Sequence, residues 1–126
     1  MVGSRFSEHV YGLTRFVFGG LFACHGAQKL FGVLGGHQMT GNPKMLAAGI
    51  IEFFGGSLIA LGIAASLAAF IACGEMAYAF FTVHYPRGFW PIMNGGEPAV
   101  LYCFFFLYVA LRGSGRYSIE GLVRRN

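Results

Sequence analysis

His25-Gly26-Ala27-Gln28-Lys29-Leu30-Phe31-Gly32 closes a long apolar segment with three hydrogen-bonding or charged side chains, where a membrane helix ordinarily runs out in Leu and Phe. Such groups are expensive at that depth, so they need partners or a chemical task. On a helix His25 and Lys29 are four residues apart and Gln28 lies beside both, so all three project to one side. That side is expected to face protein rather than lipid.

Composition around the octet agrees with a bilayer setting. Hydrophobic residues make up 56% of the 126 and aromatics 17%, against 11% charged, and the mean hydropathy is +0.60. That is too apolar for the surface of a water-soluble domain. One domain over 1–126 is expected, because no charge block, Ser/Pro-rich linker or internal repeat divides the chain. The net charge of +4 sits at segment ends rather than on an interleaved patch, which argues against a nucleic-acid partner. The first apolar run is too long for a signal-peptide core and lacks a small-x-small cleavage site, so it reads as an uncleaved first span. Cys24, Cys73 and Cys103 are each isolated in apolar runs, with no Cys-x-x-Cys and no metal-ligand spacing. They read as small core residues, with a redox pair across helices as the alternative.

A bilayer span needs roughly 20 mostly apolar residues. Segments from about Val10 to Phe31, Met45 to Ile63, Leu67 to Tyr85 and Glu97 to Leu111 qualify. They predict an all-α, integral-membrane four-helix bundle. Gly35-Gly36 and Gly41-Asn42-Pro43 punctuate the first connection, with Pro43 placed to precede or open the next helix. Only Ala64-Ala65-Ser66 separates the second and third spans, which predicts a tight hairpin, and Phe89 and Trp90 in the third connection suit the headgroup layer. Small residues at Gly19-Gly20, Gly55-Gly56, Gly62 and Ala64 to Ala72 allow helices to approach closely. An even span number puts both termini on one side. Arg5, Arg112, Arg116, Arg124 and Arg125 crowd that side, so both termini are expected in the cytoplasm and the octet outward, in a bacterial plasma membrane.

Four ionisable residues fall well inside apolar runs: Arg15, His25, Glu52 and Glu75. At about 1.5 Å per residue, His25 lies about 9 Å from the outer helix ends, Glu52 about 10 Å and Glu75 about 15 Å. His25 and Glu52 therefore share a level that Gln28 and Lys29 can reach, while Arg15 is expected to snorkel to the inner boundary or extend toward Glu75. A carboxylate beside a His or Lys serves either as an ion pair fixing helix register or as a proton or quinol site. Glu75, Tyr78, Thr82 and Tyr85 form a polar stripe on the third helix. His84 falls off that stripe and reads as interfacial. Arg87, Asn94 and Glu97 share the outer side with the octet, and Glu97 also suits the start of the fourth helix through the helix dipole. His25 beside Gly26 is compatible with axial ligation of haem or a chlorophyll magnesium, but no second spaced His completes a bis-His site, and the reading goes against it. No metal site and no encoded cofactor is visible, and no phosphate loop or nucleophile elbow is present.

The ordered set Arg15, His25-Gly26-x-Gln28-Lys29-Leu30-Phe31-Gly32, Glu52-Phe53-Phe54-Gly55-Gly56, Gly88-Phe89, Asn94-Gly95-Gly96-x-Pro98 and Gly113-x-Gly115-Arg116-Tyr117-Ser118 resembles the DoxX family of small four-span bacterial membrane proteins. The resemblance covers nearly the whole chain. It implies a subunit of a membrane redox assembly, with relatives linked to thiosulfate and quinone chemistry or to thiol and oxidative stress. No dithiol motif is present to run sulfur chemistry unaided, so electron carriers are expected from protein partners. The expected site is an outward polar cluster of His25, Gln28, Lys29 and Glu52 that takes a quinone or a small anion. Two other readings stay open: a non-catalytic accessory subunit of a larger respiratory or photosynthetic complex, and, through oligomers, a proton or solute pathway along the Glu75 stripe.

Overall fold

The computed structural model describes residues 3–125. Met1, Val2 and Asn126, the ends of the expected domain, lie outside the described residues, as does the Arg125 side chain counted in the terminal charge. Six helices make up an all-α fold among the described residues: α1 (Gly3–Phe31), α2 (Pro43–Leu61), α3 (Ala65–Arg87), α4 (Pro91–Asn94), α5 (Glu97–Arg112) and α6 (Ile119–Arg125). The first begins a full two turns before the expected Val10, and the short α4 and α6 had no apolar signature. Helices α2 and α3 are long and apolar enough to cross a membrane. Helix α5 has 16 residues, about 24 Å at 1.5 Å per residue, and α1 carries Arg15, His25, Gln28 and Lys29 along its length.

The start of α2 and the end of α1 find partners for their free backbone groups. Pro43 opens α2 with Asn42 as cap, the Asn42 side chain accepting from the Lys44 and Met45 amides, which satisfies donors that a helix start leaves unpaired. At the end of α1 the loop returns to supply them: the Met39 amide donates to Lys29 O at 2.8 Å and Gln38 Nε2 to Leu30 O at 3.0 Å. Helix α1 packs on α2, and α3 on α5, around Phe22, Ile59, Ala69, Ala72, Phe106 and Val109. Outward, Phe16, Leu21, Leu67, Phe70, Leu101 and Phe104 are each more than half exposed.

The tight hairpin between α2 and α3 is capped from elsewhere in the chain, since Gly62-Ile63-Ala64 offers no polar side chain. Arg15, 1% exposed, donates from Nη1 to Ile59 O at 2.6 Å and Ala60 O at 2.9 Å, and from Nη2 to Tyr117 O at 2.7 Å. A guanidinium at a helix C-terminus meets unpaired carbonyls and the negative end of the dipole. Arg15 therefore neither snorkels nor extends toward Glu75. Across the turn, the Ala64 amide donates to Glu120 Oε2 and the Ala65 amide to Ser114 Oγ, so the start of α3 is also capped by the C-terminal segment. Gly62, at φ 74°, ends α2 in the left-handed region, and a Cβ there would meet Ser118 Cβ at 2.2 Å. The Gly113 to Ser118 motif is thus a strap over this turn.

The same end joins the first turns of α1 to the end of α5. Tyr11 donates to Gly113 O at 2.6 Å, and Arg112 pairs with Glu8 while its guanidinium lies 4.1 Å over the Tyr11 ring. The hydrogen bond from Arg112 holds the Glu8 carboxyl below the usual carboxylate range. A folded value below the unfolded one, about 4.3 for Glu, contributes stability above that value, and the contribution is lost as pH falls through the folded value. Glu8 is one-third exposed, so solvent screening keeps the effect small. Thermal unfolding across an acid titration is expected to show a fall in wild-type stability below about pH 4.3 that Glu8→Gln reduces. Identical acid profiles for the two proteins would remove the clamp from this account.

Candidate functional site

The site begins with a missing side chain. Gly26 of α1 lies against α2 so closely that a Cβ would stand 2.2 Å from Phe53 N and 2.8 Å from Glu52 C. Gly19 and Gly56 repeat the close approach two turns away, the small-residue packing by which helices associate in apolar surroundings. Glu52, next to Phe53, is thereby carried against α1. Lys29 follows Gly26 by three residues on the same face, and its Nζ donates to Glu52 Oε1 at 2.6 Å. Glu52 is 3% exposed, and the Lys29 side chain 20%.

Glu52 sits on a local change of helical register. Residues Ile51–Gly55 form a π-helical turn within α2, and Phe80–His84 form a second within α3. Each turn holds one residue more than an α-turn, so side chains beyond it are rotated from their α-helical direction, and such turns recur at functional sites. Hydroxyls bond back to the backbone at both: Ser57 Oγ donates to Phe53 O and Thr82 Oγ1 to Tyr78 O, each at 2.7 Å.

Between α1, α2, α3 and α5 lies a cavity of about 770 Å³. Its walls are mainly apolar, with Phe22, Met45, Ile51, Ile71, Met76 and Ala99 among them. Into it come His25, Lys29 and Glu52 from the first two helices and Glu75 and Tyr78 from α3. Glu75 lies within hydrogen-bonding reach of the Glu52 carboxyl and electrostatic reach of Lys29, while its Oε1 is buried and makes no hydrogen bond among the described residues. A buried acceptor left unpaired costs about 1–3 kcal/mol, and a donor on a ligand would recover it. His25 does not pair with Glu52; its ring lies edge-on to Tyr102 at 6.3 Å.

The other expected residues lie elsewhere. Gln28 turns to the loop, donating from Nε2 to Leu34 O at 3.0 Å. Buried Asn94 knots the connection before α5: its Nδ2 donates to Gly88 O and its Oδ1 accepts from the Gly96 amide, each at 2.7 Å. Glu97 is the first residue of α5, exposed, and Arg87 ends α3, also exposed. Neither lines the cavity. Conversely, Lys44, Thr82, His84 and Tyr102 do line it and were outside the expected cluster. Tyr102 is one of two phenols in the apolar run of α5, the other being Tyr108, and nothing in the run singles it out. His84, read as interfacial, is half-buried at the end of the second π-helical turn and lines the cavity.

Among the described residues, no three His, Cys, Asp or Glu come together in a way that could hold a metal. What the cavity offers is a mainly apolar volume of ligand-binding size, with one neutralised ion pair, a second carboxyl, a second lysine, two imidazoles and two phenols. This is a small all-α chain with exposed apolar side chains, two helices, α2 and α3, long and apolar enough to cross a membrane, and polar groups gathered in an open, mainly apolar cavity. The chain belongs to the DoxX family, whose match covers residues 11–85. That match takes in the cavity-lining residues of α1, α2 and α3, while those of α5 lie beyond it. The chain is also 37% identical over 123 residues to an uncharacterized protein of Haemophilus influenzae, covering 92% of each. No solved structure matches it.

Proposed function

We propose that this chain is a subunit of a bacterial inner-membrane redox assembly that holds a lipid-soluble quinone headgroup in the cavity between α1, α2, α3 and α5. The observation that carries the reading is the Glu75 carboxyl, whose buried Oε1 makes no hydrogen bond among the described residues, beside the Lys29–Glu52 pair in a mainly apolar cavity. A quinol hydroxyl donates to such an oxygen, and the apolar wall takes the ring. Carboxyl and imidazole groups at the cavity provide for proton exchange with a bound quinol. Because Lys29 is already neutralised by Glu52 and the other lining lysine, Lys44, is solvent-exposed, an uncharged ligand fits the buried part of the cavity better than a small anion. DoxX membership supports a membrane redox role, and the electron carrier belongs to a protein partner.

In the membrane, α1, α2, α3 and α5 are the four spans, with exposed apolar side chains such as Phe16, Phe70 and Phe104 facing lipid. The end that joins Glu8 to Arg112 faces the cytoplasm, with the basic terminal residues, and the cavity lies toward the outer face. Gentle extraction from the native membrane, followed by quinone analysis and binding of a short-tailed quinone to nanodisc-embedded protein, tests the proposal. Quinone is expected to co-extract. Glu75→Leu and Tyr102→Phe are expected to weaken binding, the first by roughly tenfold or more, the worth of one buried hydrogen bond. Absence of quinone from the extract together with no binding in nanodiscs would overturn it.

A further inference from the structure

We propose that Cys73 and Cys103 form a reversible dithiol–disulfide couple on the seam between α3 and α5, oxidised by lipid-soluble hydroperoxides. Thirty positions apart in the chain, their Sγ atoms lie 3.6 Å from each other, each thiol half-buried. They are brought together by a seam of small residues, Ala69, Ala72 and Ala99, which lets the two helices approach. A disulfide needs its sulfurs about 2.05 Å apart, so closure asks for a movement of about 1.5 Å, within reach of side-chain rotation and a slight helix shift. Neither sulfur lines the cavity. The nearby residues Phe70 and Phe104 on the same two helices are exposed, so the thiols are approached through an apolar surface. An oxidant that dissolves in hydrocarbon has access that an ionic one lacks.

The chemistry closes without any cofactor. One thiol attacks the terminal peroxide oxygen; the O–O bond breaks, the sulfur becomes a sulfenic acid, and the thiol proton leaves with the departing alkoxide as an alcohol. The second thiol then displaces the sulfenic hydroxyl, its proton leaving with that hydroxyl as water, and the S–S bond forms. Two thiols and one hydroperoxide yield one disulfide, one alcohol and one water. A dithiol reductant supplies the two electrons and two protons that reverse it.

The full chain in lipid nanodiscs, fully reduced and treated with cumene hydroperoxide, is then alkylated and examined by intact mass and peptide mapping. Of the three thiols, two are expected to become unavailable, with a loss of two hydrogens in mass and a cross-linked peptide joining Cys73 to Cys103. Cys24 remains alkylatable, and dithiothreitol restores all three. In Cys73→Ser, Cys103 is expected to stop at a dimedone-reactive sulfenic acid. The couple is overturned if Cys73 and Cys103 both stay alkylatable while Cys24 is oxidised. It is overturned equally if the cross-link involves Cys24 or joins two chains. Hydrogen peroxide at the same concentration is expected to react more slowly, and an equal rate would overturn access through the apolar surface.

Discussion

Gly26→Leu is expected to break the crossing of α1 and α2, lowering stability by about 3 kcal/mol or more, the upper range for forcing atoms into a packed interior. The Cβ of any residue at 26 would stand 2.2 Å from Phe53 N and 2.7 Å from Phe53 Cα. Both are backbone atoms, so no side-chain rotation relieves the clash, and the helices must separate. Separation carries Glu52 away from Lys29, so the effect extends beyond packing to the ion pair. Gly20, on the same helix, is the matched control: a Cβ there meets nothing within 4 Å. Gly20→Ala is expected to equal wild type or exceed it by up to about 1 kcal/mol, since nothing opposes the Cβ and Ala is the better helix former. Unfolding in detergent, by heat or by titrated denaturant, measures both. A Gly26→Leu protein as stable as the Gly20→Ala control would mean that the helices do not cross this closely.

Removing one member of the Lys29–Glu52 pair is expected to cost about 3–5 kcal/mol, because the remaining charge is left buried without a counterion. The two single substitutions are not equivalent. In Lys29→Met, Glu52 is fixed at 3% exposure and lies beside the Glu75 carboxyl with its cation gone, so the loss falls at the upper end. In Glu52→Leu, the Lys29 ammonium, already partly exposed, can extend along its flexible stem toward water, and the loss falls at the lower end. Lys29→Met combined with Glu52→Leu is expected to recover most of the stability, since an apolar pair of similar volume needs no desolvation. A double-mutant cycle from thermal unfolding reads the coupling. Additive losses would show that the two side chains do not interact in the folded protein.

Much of the architecture was present in one dimension. The long apolar runs predicted the four longest helices, and Asn42-Pro43 marked the start of α2 to within two residues. Glu52 and Glu75 stood out simply as carboxylates in apolar segments, and both line the cavity. The octet at the end of α1 correctly announced a demand for partners, but its three polar side chains divide: Lys29 takes Glu52, Gln28 takes the loop, and His25 turns to Tyr102. Depth arithmetic placed His25 level with Glu52, yet level is not contact. The crossing at Gly26 decides which side chain arrives.

By itself the sequence determined an all-helical chain, the order and approximate position of its principal helices and the placing of charged groups among apolar ones, because these follow from composition and from a period that local backbone geometry imposes. Tertiary structure alone decided how those groups pair. The π-helical turns at Ile51–Gly55 and Phe80–His84 shift the register by one residue, the hairpin is capped by Arg15, Ser114 and Glu120 from distant positions, and Cys73 meets Cys103 across thirty residues. Each depends on how close two helices come and on how each is rotated where they meet. A single chain read by its helical period contains neither quantity.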